Sequence, residues 1–206
     1  MECKKRTKVL LPLTIILLFL FFFGSGCSEN GTPKPKGYPR IELPEERDFR
    51  RTQKDCPFSF EIPDNAILTQ KTVEKDRNLD TDCWFDLVYP RYHAQVHLTY
   101  KSLDGDLRKF VRQSHRLAYE HQVKARNILP ERIHYDSNEV YGTKYRIKGN
   151  VASNLQFFIT DSTQHFLRGS LYFMTEPNAD SLRPVIDYIE RDIDHMLKTL
   201  RWNKSS

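Results

Sequence analysis

Serine, histidine and aspartate crowd into one stretch of this chain, Thr160-Asp161-Ser162-Thr163-Gln164-His165, which lies between the polar run Gly149-Asn150-Val151-Ala152-Ser153-Asn154 and Arg168. These are the residue types of a nucleophile, its general base and an orienting carboxylate, so acyl transfer or hydrolysis is the first chemistry to consider. Their spacing argues against it. Triad members come from separate elements of a fold, and no G-x-S-x-G elbow occurs in the sequence. Asp161-Ser162-Thr163-Gln164 reads instead as a hairpin turn whose side chains bond nearby backbone groups, with Asn150 and Ser153 as loop residues between two strands. Arg168 is different, because it falls mid-strand between Phe166 and Leu171, where a charge needs a partner. Asp161 across the hairpin is one candidate, and a bound acidic or carbohydrate ligand is another.

Seven histidines raise the alternative of a metal centre. His93 and His97, four apart on a predicted strand, stand roughly 13 Å from each other at about 3.3 Å per residue, too far to share one ion. His115 and His121 point to different faces of a predicted helix, and His121 on its apolar stripe reads as a hydrogen-bonded core residue. No Cys/His cluster has zinc spacing, so the sequence calls for no metal, no cofactor and no catalytic residue.

The cysteines are more informative. Four cations (Lys4, Lys5, Arg6, Lys8), an apolar run from Val9 to Phe23 and the small residues Gly24, Ser25 and Gly26 lead directly into Cys27. That is a bacterial lipoprotein signal, with Gly24 standing where such signals commonly place Leu. The apolar run is too short and too abruptly ended for a comfortable membrane span. The expectation is a signal peptide over 1–26, removed to leave Cys27 as the acylated first residue, with palmitate-type chains anchoring a water-soluble polypeptide. Cys3 leaves with the signal. Cys56 and Cys83 then remain as an even pair in a compartment that tolerates disulfides, either bonded or as two buried thiols. A CxxC redox motif is absent.

Removal of the signal also changes the charge. Of 32 Lys+Arg and 27 Asp+Glu, 28 and 26 belong to the mature chain, so its formal charge is about +2 rather than +5. A near-balanced, exported chain is not expected to bind nucleic acid.

The elements that would position these residues follow from periodicity. Residues 27–55 are rich in Pro and charge and read as a tether, within which Tyr38 and Arg40 form a possible docking segment. A single domain is expected over 56–202, with 203–206 as a tail. Alternation predicts strands over 58–62, 83–89 and 92–100, the last two forming a hairpin about Tyr89-Pro90-Arg91. An amphipathic helix is predicted from Asp104 or Asp106 to about Asn127, where Leu107, Phe110, Val111, Ser114 and Ala118 share a stripe, and Pro130 bars its continuation. Strands are then predicted over 140–148, 155–160 and 165–173. A last helix, capped by Asp180 or Ser181, buries Val185, Ile189, Ile193, Leu197 and Leu200. The order implies an α+β domain, an antiparallel sheet packed against two main helices, analogous to the Mog1/PsbP-type sandwich.

Several segments in one order carry a further signal: Lys36-Gly37-Tyr38-Pro39-Arg40-Ile41, Cys56-Pro57-Phe58, Cys83-Trp84, Gly149-Asn150-Val151-Ala152-Ser153, Gln156-Phe157, Thr160-Asp161-Ser162, His165-Phe166-Leu167-Arg168-Gly169-Ser170 and Pro177-Asn178-Ala179-Asp180-Ser181-Leu182. In these the chain closely resembles the GldD gliding-motility lipoproteins, from the tether to Trp202. The resemblance implies an envelope lipoprotein required for gliding, whose machinery overlaps with the type IX secretion apparatus. It implies no enzymatic activity and no cofactor. The implied partners are the membrane, through the lipid, and other gliding or secretion proteins of the envelope. The soluble domain is expected in the periplasm. Ser28 carries no instruction to stay in the inner membrane, which favours the outer one.

Overall fold

The computed structural model describes residues 41–52, 55–70, 83–175 and 178–203. Cys27, Tyr38 and Arg40, the expected lipid site and docking segment, lie outside the described residues. The fold is α+β, mostly antiparallel sheet with two main helices.

Seven strands form the main sheet, in the order β4 (Ile67–Gln70), β5 (Trp84–Tyr89), β6 (Ala94–Ser102), β10 (His165–Phe173), β9 (Leu155–Thr160), β8 (Val140–Gly149), β7 (Ala125–Tyr135). Every neighbouring pair is antiparallel. The connection from β6 through helix α1 (Leu107–Tyr119) crosses to the far edge, and the meander β7-β8-β9-β10 returns to close on β6. Strand alternation decides the faces. Phe85, Leu87 and Tyr89 of β5, Ala94, Val96, Leu98 and Tyr100 of β6 and Leu167 and Leu171 of β10 pack in the main core with Val185, Ile189, Ile193 and Leu197 of helix α2 (Ala179–Thr199). Burying each of the Phe, Leu, Val and Ile side chains among these contributes about 1.5–3 kcal/mol before the entropy of ordering is set against it. On the second face Tyr145, Ile147, Phe158 and Phe166 pack with Ala118, Phe110 and Val111 of α1. The central strand β9 is buried on both sides.

Two small ribbons lace the entry segment to the end of the chain. β1 (Phe49–Arg51) pairs with β3 (Glu61–Pro63), and β2 (Phe58–Ser59) pairs with β11 (Arg201–Trp202). The run 58–62, expected as one strand, thus divides at Phe60. Its backbone is satisfied by Thr52, which donates its N–H to Phe60 O at 2.8 Å and accepts the Phe60 N–H on Oγ1 at 3.1 Å. A disulfide joins Cys56 to Cys83, tying the coil ahead of β2 to the start of β5.

The first helix ends earlier than its stripe suggests. After Tyr119 a 3-10 turn runs through Val123, and the residues that would complete the helix belong instead to β7. Pro130 lies within that strand, which is possible because β7 is a sheet edge, where a missing donor is tolerated. The second helix starts slightly earlier than expected, since the Asn178 side chain accepts the Ser181 N–H at 3.3 Å.

Candidate functional site

The residues singled out in the sequence occupy three separate places. Asn150 and Ser153 lie in the turn from β8 to β9. Asn150 is exposed, whereas Ser153 is fully buried and donates its hydroxyl to Leu155 O at 3.2 Å. The neighbouring Asn154, not anticipated from sequence, donates to the carbonyls of Ile147 and Gly149, both at 3.0 Å.

Asp161, Ser162 and His165 share the β9–β10 turn. Asp161 Oδ1 accepts the backbone N–H groups of Thr163 at 3.0 Å, Gln164 at 2.9 Å and His165 at 2.8 Å, while Oδ2 accepts the Thr163 hydroxyl at 3.0 Å. Burial would raise this carboxyl's pKa, but the four donors outweigh it and hold it below the usual carboxylate range. Ser162 adopts the left-handed conformation at φ 75°, and no hydrogen bond joins its hydroxyl to His165. The His165 ring is buried, with Nδ1 2.8 Å from the Tyr100 hydroxyl and its face stacked on Trp202 at 5.0 Å between centroids. Burial lowers its pKa, only partly countered by Asp161, so the ring favours the neutral form. A cleft of about 540 Å³ opens beside it, lined by Asn138, Asp161, Thr163, Arg201 and Trp202 among others. This end of the sheet gathers polar side chains around a buried imidazole.

Arg168 stands elsewhere. It projects from the second face of the sheet, opposite Thr99 of β6 and Phe158 of β9, and its Nη2 donates to Gln156 Oε1 at 2.7 Å. The expected pairing with Asp161 does not occur, because that carboxylate is turned into its own turn and saturated by local donors. Among the described residues Arg168 has no carboxylate within ion-pair distance. Desolvation lowers its pKa, with Tyr172 and Glu120 opposing the shift from further away. Register then assembles a row across three strands of this face, in which Asp86 lies opposite His97 and His97 opposite Ser170. Asp86 Oδ1 bonds His97 Nδ1, and Gln95 Nε2 lies 3.3 Å from His97 Nε2. Tyr172 packs against His97 at 5.0 Å between centroids. Ser170 is 1 % exposed, and its hydroxyl has no hydrogen-bond partner.

Alternation along 92–100 puts Gln95 and His97 on the face opposite Tyr92, Ala94, Val96, Leu98 and Tyr100. Their meeting with Ser170 required the β6–β10 register, which joins segments some seventy residues apart and leaves no local mark. No group of three or more His, Cys, Asp or Glu among the described residues could hold a metal ion.

Residues 28–202 match the family model described as gliding motility lipoprotein GldD. The chain belongs to that family. The match spans both ribbons, the seven-stranded sheet and both helices, so all three places described above lie within the GldD region. A lipoprotein family places the chain with the cell envelope, and among the described residues no helix is long and apolar enough to cross a membrane. No curated protein matches the sequence.

Proposed function

We propose that this GldD-family protein is a non-enzymatic component or assembly factor of the gliding and type IX secretion machinery. It is held by acyl chains on Cys27, with its domain in the periplasm and the outer membrane as its anchor. The observation that carries this reading is the family match over residues 28–202, which includes the segment directly after Cys27 as well as the whole domain. Consistent with a non-enzymatic role, Ser153 and Asp161 are each committed to local backbone bonds. Deletion should abolish colony spreading, or protein secretion in a species that does not glide, and wild-type protein should restore it where Cys27→Ala does not. Pull-down should recover other envelope proteins of that machinery. Unchanged spreading and secretion in the deletion strain would defeat the proposal.

The row of Asp86, His97 and Ser170 favours a second reading, a ligand-binding envelope domain, since the Ser170 hydroxyl bonds no base and so does not carry the hydrolytic alternative. Single alanine substitutions at His97 and Ser170 would then remove function while leaving the unfolding midpoint at or above the wild-type value. Loss of function only in step with loss of stability makes these residues scaffold.

A further inference from the structure

Two buried donors on the second face of the sheet lack acceptors, the Ser170 hydroxyl and the Trp84 indole Nε1. They share that face with Arg168: Trp84 lies opposite Thr99, Thr99 opposite Arg168, and Ser170 follows Arg168 by two residues on β10. Buried polar groups are bonded in folded proteins almost without exception, so each orphan calls for a cause. The other buried polar atoms without a partner, the Tyr89 and Tyr92 hydroxyls and the acceptor Asp192 Oδ2, gather instead beneath α2 and act on one another electrostatically.

Register and one hydrogen bond link three groups on this face. Gln156 stands directly opposite Ser170, and Arg168, two residues before Ser170 on β10, reaches across to the Gln156 side-chain carbonyl. Both Ser170 and Gln156 are nine-tenths or more buried, at 1 % and 3 % exposure. Arg168 carries five N–H donors, of which the Gln156 carbonyl accepts one, and the Gln156 amide adds two N–H donors against the one lone pair left on its oxygen. The cluster is therefore rich in donors, carries one positive charge partly withdrawn from water, and has no carboxylate of its own. Asp86, the carboxylate on the same row, is two strands away and bonded to His97. Glu120, beyond α1, lies 3.7 Å from Arg116.

We propose that Arg168, Ser170 and Gln156 form a binding site for a single oxyanion group, carboxylate or phosphate, of an envelope ligand. An oxyanion supplies only acceptors and a negative charge, which is the complement of this cluster, and a guanidinium can grip it through two parallel bonds. A sugar hydroxyl is a poorer match, since it brings donors to a place already filled with them. The site stands apart from the proposed role in motility and does not depend on it.

The test uses the full-length lipidated protein in detergent micelles, titrated with inorganic phosphate or with acetate at constant ionic strength while amide chemical shifts are followed. Saturable shifts at Gln156, Arg168 and Ser170 are expected with one of the two anions, and the one that binds more tightly identifies the ligand group. Arg168→Gln should weaken that binding at least tenfold and Ser170→Ala about threefold. Ser170→Ala should also raise the unfolding midpoint in the absence of anion, as expected when an orphaned hydroxyl is removed, whereas loss of a serine hydrogen-bonded within the fold would lower it. Should Arg168→Gln fail to fold, Arg168→Lys keeps the charge and must still lose affinity. No saturable shift with either anion, or unchanged binding in the arginine and serine variants, overturns the proposal.

Discussion

Arg47 lies in a stretch whose composition reads as tether, yet its side chain is inserted beneath α2. Nη1 lies 2.5 Å from Asp192 Oδ1 and 3.3 Å from Tyr188 O, and the guanidinium sits 3.8 Å over the Tyr188 ring. The Asp192 side chain is 0 % exposed. Arg47→Met keeps much of the aliphatic stem but strands that carboxylate, and removing one partner of a buried pair costs about 3–5 kcal/mol, the lost contact with the Tyr188 ring included. At about 2–4 °C per kcal/mol the unfolding midpoint should fall by about 6–20 °C. Urea unfolding of the wild type, Arg47→Met, Asp192→Asn and the double variant measures it, and the double variant should recover most of the loss because no charge is left behind. The pH dependence has a definite sign. Burial raises the Asp192 pKa despite Arg47, so its contribution is fully present below the unfolded value and is lost as pH rises through the folded one. Without Arg47 that pKa rises further, and the variant should regain stability as pH falls from 7 toward about 5. A loss below about 1 kcal/mol, or no rescue by Asp192→Asn, would refute the reasoning.

Two other perturbations probe the scaffold. Reducing the Cys56–Cys83 bond, which closes a loop with a sequence separation of 27, should cost about 3.5 kcal/mol by chain entropy, read as a lower urea midpoint with and without reductant; an unchanged midpoint would show that the cross-link constrains little. Gly169→Ala would put a Cβ 2.1 Å from the Phe157 ring, so the ring must leave its place over the glycine, and a loss of about 1–3 kcal/mol is expected, relieved by adding Phe157→Leu. Equal losses in the single and double variants would show that Phe157 is not the obstacle.

Strands and helices that bury one clean face were legible in the sequence. β5 and β6 alternate and α2 repeats its apolar residues at helical spacing, so period alone places them, whereas β9 and β10 read as nearly continuous apolar runs because they are buried on both faces. β7 fails this test. Most of its side chains are exposed, as an edge strand allows, so no apolar period marks it and the predicted helix runs on to about Asn127. β1 is hidden for another reason: Phe49-Arg50-Arg51 has no alternation, and its place comes from pairing with β3 and from Arg51 reaching Glu61 and the Thr199 carbonyl. Among site residues, Arg168 announced itself as a mid-strand charge, but its surroundings did not. Its neighbours Gln156 and Ser170 look like ordinary strand residues until the register sets them opposite each other.

The entry segment has a mechanical consequence for a lipid-anchored protein. Arg47, β1 and Arg51 fix the chain to α2 and β3, so the point of attachment to the domain moves forward from Cys56 to Arg47. With the acyl chains on Cys27 as proposed, twenty residues separate lipid from domain instead of twenty-nine, a limit of about 70 Å against about 100 Å. A pull on the lipid would then be borne by Arg47 and its buried partner on α2, together with the β2–β11 ribbon and the Glu61–His195 contact at 2.8 Å that bind the same two segments. The cluster around Arg168 lies on the other face of the sheet. Its strands β6, β10 and β9 are interior strands, each paired with a neighbour on both sides, so the cluster sits away from the segments that carry the anchor's attachment.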